Sequence, residues 1–75
     1  MITIEDLYDN VCVQGAIHIQ EFDYKEGCLH THYIGDAEEL NDENNETTYE
    51  TIKDYEIKYL FAEDNFTVIE VQPME

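Results

Sequence analysis

Tyr55-Glu56-Ile57-Lys58-Tyr59-Leu60-Phe61-Ala62, then Glu63-Asp64-Asn65, then Phe66-Thr67-Val68-Ile69-Glu70-Val71: the reading of this stretch decides the fold. Both runs are rich in β-branched and aromatic residues, and polar turn formers separate them, so the pair predicts a β-hairpin. A three-residue Glu63-Asp64-Asn65 loop sets Lys58 opposite Glu70, a cross-strand ion pair contributing about 0.2–1 kcal/mol. It also brings Ile57, Tyr59 and Phe61 onto one face with Ile69 and Val71. A two-residue Asp64-Asn65 turn would scramble this match, so the three-residue register is expected. Leu60 and Val68 then lie on the second face, and Pro73 ends the pairing.

Upstream, a second hairpin is expected. Residues 11–22 read as a strand with Val13, Gly15, Ile17 and Ile19 on one parity and Gln14, His18 and Gln20 on the other. Gly15 marks a bulge or a close approach. Tyr24-Lys25-Glu26-Gly27 reads as a turn, with Gly27 free to take a positive φ. Residues 28–34 form the return strand, with Leu29, Thr31 and Tyr33 on one face and Cys28, His30, His32 and Ile34 on the other. The N-terminus reads as a short helix. Thr3 is the N-cap, Asp6 completes a capping box, Ile2 and Leu7 occupy the staple positions, and Glu5 and Asp6 favour the first turn. Leu7, Tyr8 and Val11 supply its buried stripe, and Asn10 stops it.

Between the hairpins, residues 35–50 carry seven acids and no base. Ala37 to Leu40 can form one helical turn, whereas Asn41 to Thr48 reads as a polar, mobile connection. The expected architecture is α+β: a short N-terminal helix packed on a four-stranded antiparallel sheet, with residues 1–75 forming one domain. A domain this small buries only about 60% of the surface its unfolded chain exposes, so its stability margin is narrow.

Charge narrows the function classes. The 75 residues include 19 acids against three bases, Lys25, Lys53 and Lys58, for a net charge of −16. Nucleic-acid binding rests on Lys and Arg neutralising phosphates, so direct binding to DNA or RNA is not expected. An anionic membrane surface repels the chain for the same reason. A basic protein surface attracts it, more strongly at low salt. Solubility alone needs a net charge of only about 2–8 for a small domain, so the excess asks for a further cause. The absence of a membrane-span pattern and of a signal-peptide pattern gives a cytoplasmic expectation, in which Cys12 and Cys28 are free thiols.

The expected partner-binding residues are Asp36, Glu38, Glu39, Asp42, Glu43 and Glu46, with Tyr49 as an apolar anchor among them, since tyrosine is enriched at interface hot spots. Catalysis is not expected. Serine is missing from the sequence, and neither a phosphate loop nor a nucleophile motif is present. His18, Cys28, His30 and His32 fall on one face of the first hairpin and are the candidate metal ligands. Two-residue spacing along a strand splays such ligands by about 7 Å, awkward for a tetrahedral ion, so no metal or cofactor is expected. These imidazoles also offer pH sensitivity below about pH 6.5.

Tyr33-Ile34-Gly35-Asp36-Ala37-Glu38-Glu39-Leu40, Glu56-Ile57-Lys58-Tyr59-Leu60-Phe61-Ala62 and Ile69-Glu70-Val71 resemble segments of small acidic proteins of phages and mobile elements from low-GC Gram-positive bacteria. Ile4-Glu5-Asp6-Leu7-Tyr8 and Val13-Gln14-Gly15 fit the same likeness. In size and charge the chain is also similar in kind to anti-CRISPR proteins and other DNA-mimic inhibitors. That likeness implies a bacterial cytoplasm and a basic, nucleic-acid-binding protein as partner, with this chain a monomer or homodimer. The alternative is an accessory protein whose acidity serves solubility.

Overall fold

The structure, a computed structural model, describes residues 1–74. Helix α1 spans Ile4–Asn10 and is followed by strands β1, Ala16–Asp23, and β2, Cys28–Asp36. A 3-10 turn at Ala37–Glu39 and another at Glu43–Asn45 lead into helix α2, Glu46–Ile52. Strands β3, Glu56–Glu63, and β4, Phe66–Gln72, complete the described fold. The class is α+β, but the sheet is mixed rather than antiparallel. Its order is β2-β1-β4-β3, and β1 runs parallel to β4.

Local signals build the elements. The Thr3 hydroxyl accepts from the Asp6 amide at 3.1 Å, and the Asp6 carboxylate accepts from the Thr3 amide at 3.0 Å, closing the expected capping box. Loss of such a cap costs about 1 kcal/mol. Leu7 and Tyr8 pack against the core as expected, but Ile4 is the fully buried residue of the helix, and Val11 of the expected stripe and Ile2 of the expected staple are exposed. Gly27 closes the first hairpin at φ +70. Gly15 sits just before β1 at φ +90 with open space where a side chain would stand, so it bends the chain rather than admitting a close neighbour. The strand therefore starts at Ala16, later than the sequence pattern suggested. The stretch expected as a loop, Asn41 to Thr48, is instead the second 3-10 turn and the first residues of α2.

The second hairpin turns on two residues. Asp64 and Asn65 have φ of 51 and 69, the conformation whose twist matches the flanking strands and which these residues tolerate. Glu63 therefore pairs with Phe66, and Phe61 with Val68. The expected Lys58–Glu70 pair does not form. Lys58 is the extra residue of a bulge between Ile57 and Tyr59, and its ammonium lies 3.0 Å from Glu56 instead. Tyr59 and Leu60 consequently pair with Glu70 and Ile69. A second bulge lies in β2, where the register slips between Tyr33 and Thr31 and leaves His32 unpaired. Both edge strands thus carry a bulge, a device that blunts an exposed sheet edge.

The helical segments cover one face of the sheet. Ile4, Ala37, Leu40 and Ile52 from these segments pack on Ile17, Ile19, Ile69 and Val71 from the two central strands. Val68 points the other way and is buried among strand neighbours. The face away from the helices exposes Leu29, Ile34, Tyr59 and Phe61. Ile69 is 1% exposed and its cross-strand partner Leu60 is 56% exposed. Ile69→Ala should therefore cost about 2–5 kcal/mol in urea unfolding, since it opens a cavity in the core. Leu60→Ala should cost under about 1 kcal/mol. Equal losses would mean that β4 is not a central strand.

Candidate acidic interface

Residues 35–50 contribute two groups of acids. Asp36 and Asp42 each cap a 3-10 turn, accepting from the Glu38 amide at 3.0 Å and the Glu43 amide at 2.7 Å. Both thus have a structural duty besides any binding role. Asp42, Glu43 and Glu46 come together with Glu50, Asn41 and Tyr49 around an open hollow of about 430 Å³. Glu38 lies apart, beside Tyr8, Val11, Cys12 and Val13. Glu39 is exposed on the first 3-10 turn, near the Tyr33 phenol.

Tyr49 forms part of the wall rather than a projecting anchor. It packs against the core, with its ring edge-on to Tyr8 at 6.0 Å. Burial raises its phenol pKa, and Glu5, Asp9 and Glu50 raise it further, while Lys53 opposes them. These influences show where the charge sits. Glu5 and Asp9 of α1 converge with Glu50 of α2 on the same tyrosine, and Glu46 lines the hollow beside it. The two acids of each helix are spaced i, i+4, so they form a like-charge pair on one helix face, destabilising by about 0.2–0.5 kcal/mol. Lys53 lies 3.1 Å from Glu50 and 3.9 Å from Glu5. Among the described residues, Asp9, Asp42, Glu43 and Glu46 have no cationic partner within ion-pair distance.

Acids on the strands, all but Glu63, are treated differently. Glu56 has Lys58, Glu21 has His32 at 2.8 Å, Asp23 has His30 at 3.3 Å, and Glu70 accepts from Gln20 at 3.0 Å. Glu5, Asp9 and Glu50 were not singled out from the sequence as site residues. Their i, i+4 spacing was the available signal, but only the packing of α1 against α2 gives it meaning.

The four candidate metal ligands separate. His18 pairs with Ile34 and His30 with Glu21, and positions 18 and 21 of a regular strand face opposite ways. His18 bonds the Thr31 hydroxyl on the helix-free face at 2.9 Å. His32, displaced by the bulge, is held by Glu21 and stands edge-on to Tyr55 at 5.4 Å. Cys28 and His30 remain together at the hairpin end. Cys12 and Cys28 are both free and exposed.

Comparison with protein-family models, with curated proteins and with solved structures finds no match to the chain. No helix among the described residues is long and apolar enough to cross a membrane.

The floor beneath the acidic layer is phenolic. The Tyr8 hydroxyl donates to the Ala37 carbonyl at 2.6 Å. Burial, then Tyr33, Tyr49 and Asp36, push its pKa well above the ordinary 10.0. A folded-state pKa above the unfolded value means that the stabilisation is complete below about pH 10 and is lost as pH rises toward the folded pKa. Tyr8→Phe should lower stability by about 1 kcal/mol at neutral pH, the worth of one hydrogen bond. It should also flatten the fall of stability above about pH 10, because the phenol that ionises there is gone. Urea unfolding across that range checks both effects.

Proposed function

We propose that the protein is a binding module that takes up a basic protein surface on its acidic helical layer, in the manner of a DNA-mimic inhibitor. Its partner is a nucleic-acid-binding protein, whose phosphate-binding side chains meet carboxylates instead. The observation that supports this reading is the segregation of unpaired charge. Most acids on the strands, all but Glu63, have a lysine, histidine or amide partner, whereas Asp9, Glu43 and Glu46 of the helical layer have none, and Asp42 beside them meets only the backbone amide of Glu43. Acidity that served only solubility would gain nothing from like-charge pairs concentrated around one hollow. A basic partner relieves that repulsion on binding and releases the counterions held by each surface. Glu43, Glu46 and Glu50 are exposed and lie at the hollow; Glu5 and Asp9 flank it.

The test is affinity capture from a bacterial lysate at low and at high salt. The reading expects a basic nucleic-acid-binding protein retained at low salt and lost at high salt. Glu43→Lys together with Glu46→Lys should abolish retention while circular dichroism stays unchanged, because neither side chain caps a helix or enters the core. Retention equal at both salts, or unaffected by the double reversal, would move the interface off this layer.

A further inference from the structure

We propose a second, separate site: a centre for a zinc-like divalent transition ion at the end of the β1–β2 hairpin, held by Glu26, Cys28 and His30. The three donors come from the turn and the first residues of β2. Cys28 Sγ lies 3.7 Å from His30 Nε2 and 3.9 Å from Glu26 Oε2. All three donor atoms lie within 4.8 Å of one another. Tetrahedral zinc has bonds of about 2.0–2.3 Å to oxygen, nitrogen and sulfur, so neighbouring ligand atoms stand about 3.3–3.6 Å apart. The two separations from Cys28 exceed this by only a few tenths of an ångström, and side-chain rotation of the exposed Glu26 can close the third, which is at most 4.8 Å.

The backbone explains how ligands expected to splay by about 7 Å come this close. Cys28 pairs with Asp23 and His30 with Glu21, so Cys28 and His30 share a face of the twisted hairpin end. The Asp23–Glu26 turn, closed by Gly27 at φ +70, brings Glu26 back over that face. Asp23 flanks the set through His30. Its Oδ2 is 3.3 Å from His30 Nε2, while its Oδ1 accepts from the backbone amides of Lys25 at 2.9 Å and Glu26 at 3.2 Å. The carboxylate is thus oriented before any ion arrives. His18 and His32, the other ligands suggested by the sequence, take no part, and Glu26 of the turn joins Cys28 and His30 instead.

The donor set selects the ion. A thiolate and an imidazole favour zinc and its first-row neighbours over magnesium or calcium, which take oxygen donors. On binding, the Cys28 thiol gives its proton to solvent, and the sulfur and imidazole lone pairs form the new bonds. The ion would tie the turn to β2, an edge strand whose inner face is covered only in part by the helical segments. Ligation would therefore stabilise the folded chain by mass action. The site shares no residue with the acidic hollow, and its test does not depend on any protein partner.

Cobalt(II), added to the reduced full-length chain in excess magnesium, is the probe. Magnesium occupies the diffuse acidic surface, and cobalt reports its own ligands by colour. The expected result is a sulfur-to-cobalt charge-transfer band with tetrahedral d–d absorption, both bleached by zinc. Cys28→Ala should remove the charge-transfer band, and His30→Ala and Glu26→Gln should weaken binding. Asp23→Asn keeps the turn-forming oxygen and should weaken binding by about tenfold. Cys12→Ala and His18→Ala should leave the spectrum unchanged. Zinc should raise the melting temperature of the parent chain and leave Cys28→Ala unmoved. The proposal is overturned if no charge-transfer band forms at saturating cobalt, if the band survives Cys28→Ala, or if His30→Ala binds as tightly as the parent.

Discussion

The parallel pairing of β1 with β4 is the constraint on which the rest of the structure depends. Each hairpin is antiparallel, but the two meet through the first strand of one and the last strand of the other. The chain must then travel from one edge of the sheet to the opposite edge between β2 and β3. It does so across one face, as two 3-10 turns and α2, and α1 fills the remaining space. Ile17, Ile19, Ile69 and Val71 are buried by that crossing. Without the parallel contact these four side chains would not form a continuous floor, and Ile4, Leu40 and Ile52 would have nothing to cover.

The same crossing sorts the charge. The segment that must pass over the core is also the most acidic part of the sequence, so its inward positions are Ala37, Leu40 and Ile52 while its acids point outward. The strands, flattened into the sheet, meet most of their acids, Glu63 excepted, with cross-strand or neighbouring partners. The helical layer cannot do this, because Lys53 is the one base among the residues of its two helices and 3-10 turns and their caps. Charge repulsion there is tolerated within a small stability margin. The opposite face is left bare of helices, with Ile34, Tyr59 and Phe61 exposed.

Much of this was legible in the sequence, and the failures have physical causes. The capping box, the Gly27 turn, both hairpins and the turn at Ala37 follow from local chemistry, which short-range patterns report well. The order of the hairpins in the sheet is a tertiary choice, and periodicity within a hairpin does not encode it. One clue was present: Val68-Ile69 is apolar on both parities, as a central strand requires. Bulges at His32 and Lys58 each shift the facing of every residue beyond them by one, and no alternation rule anticipates them. The first of these separated His18 from the other metal candidates. The second, together with the Asp64-Asn65 turn, undid the Lys58–Glu70 pair. The acidic residues of 35–50 were identifiable by composition, but Glu5 and Asp9 join them only through packing.

The central claim is that the fold concentrates negative potential on the helical layer. Solvent paramagnetic relaxation of backbone amides, measured with a cationic and then an anionic nitroxide, reads that potential residue by residue without needing a partner. The account predicts the largest cation-over-anion enhancement at Glu5, Asp9, Glu43, Glu46 and Glu50, and the smallest at Thr31, Ile34 and Phe61. A ratio that is uniform over the two faces would contradict it.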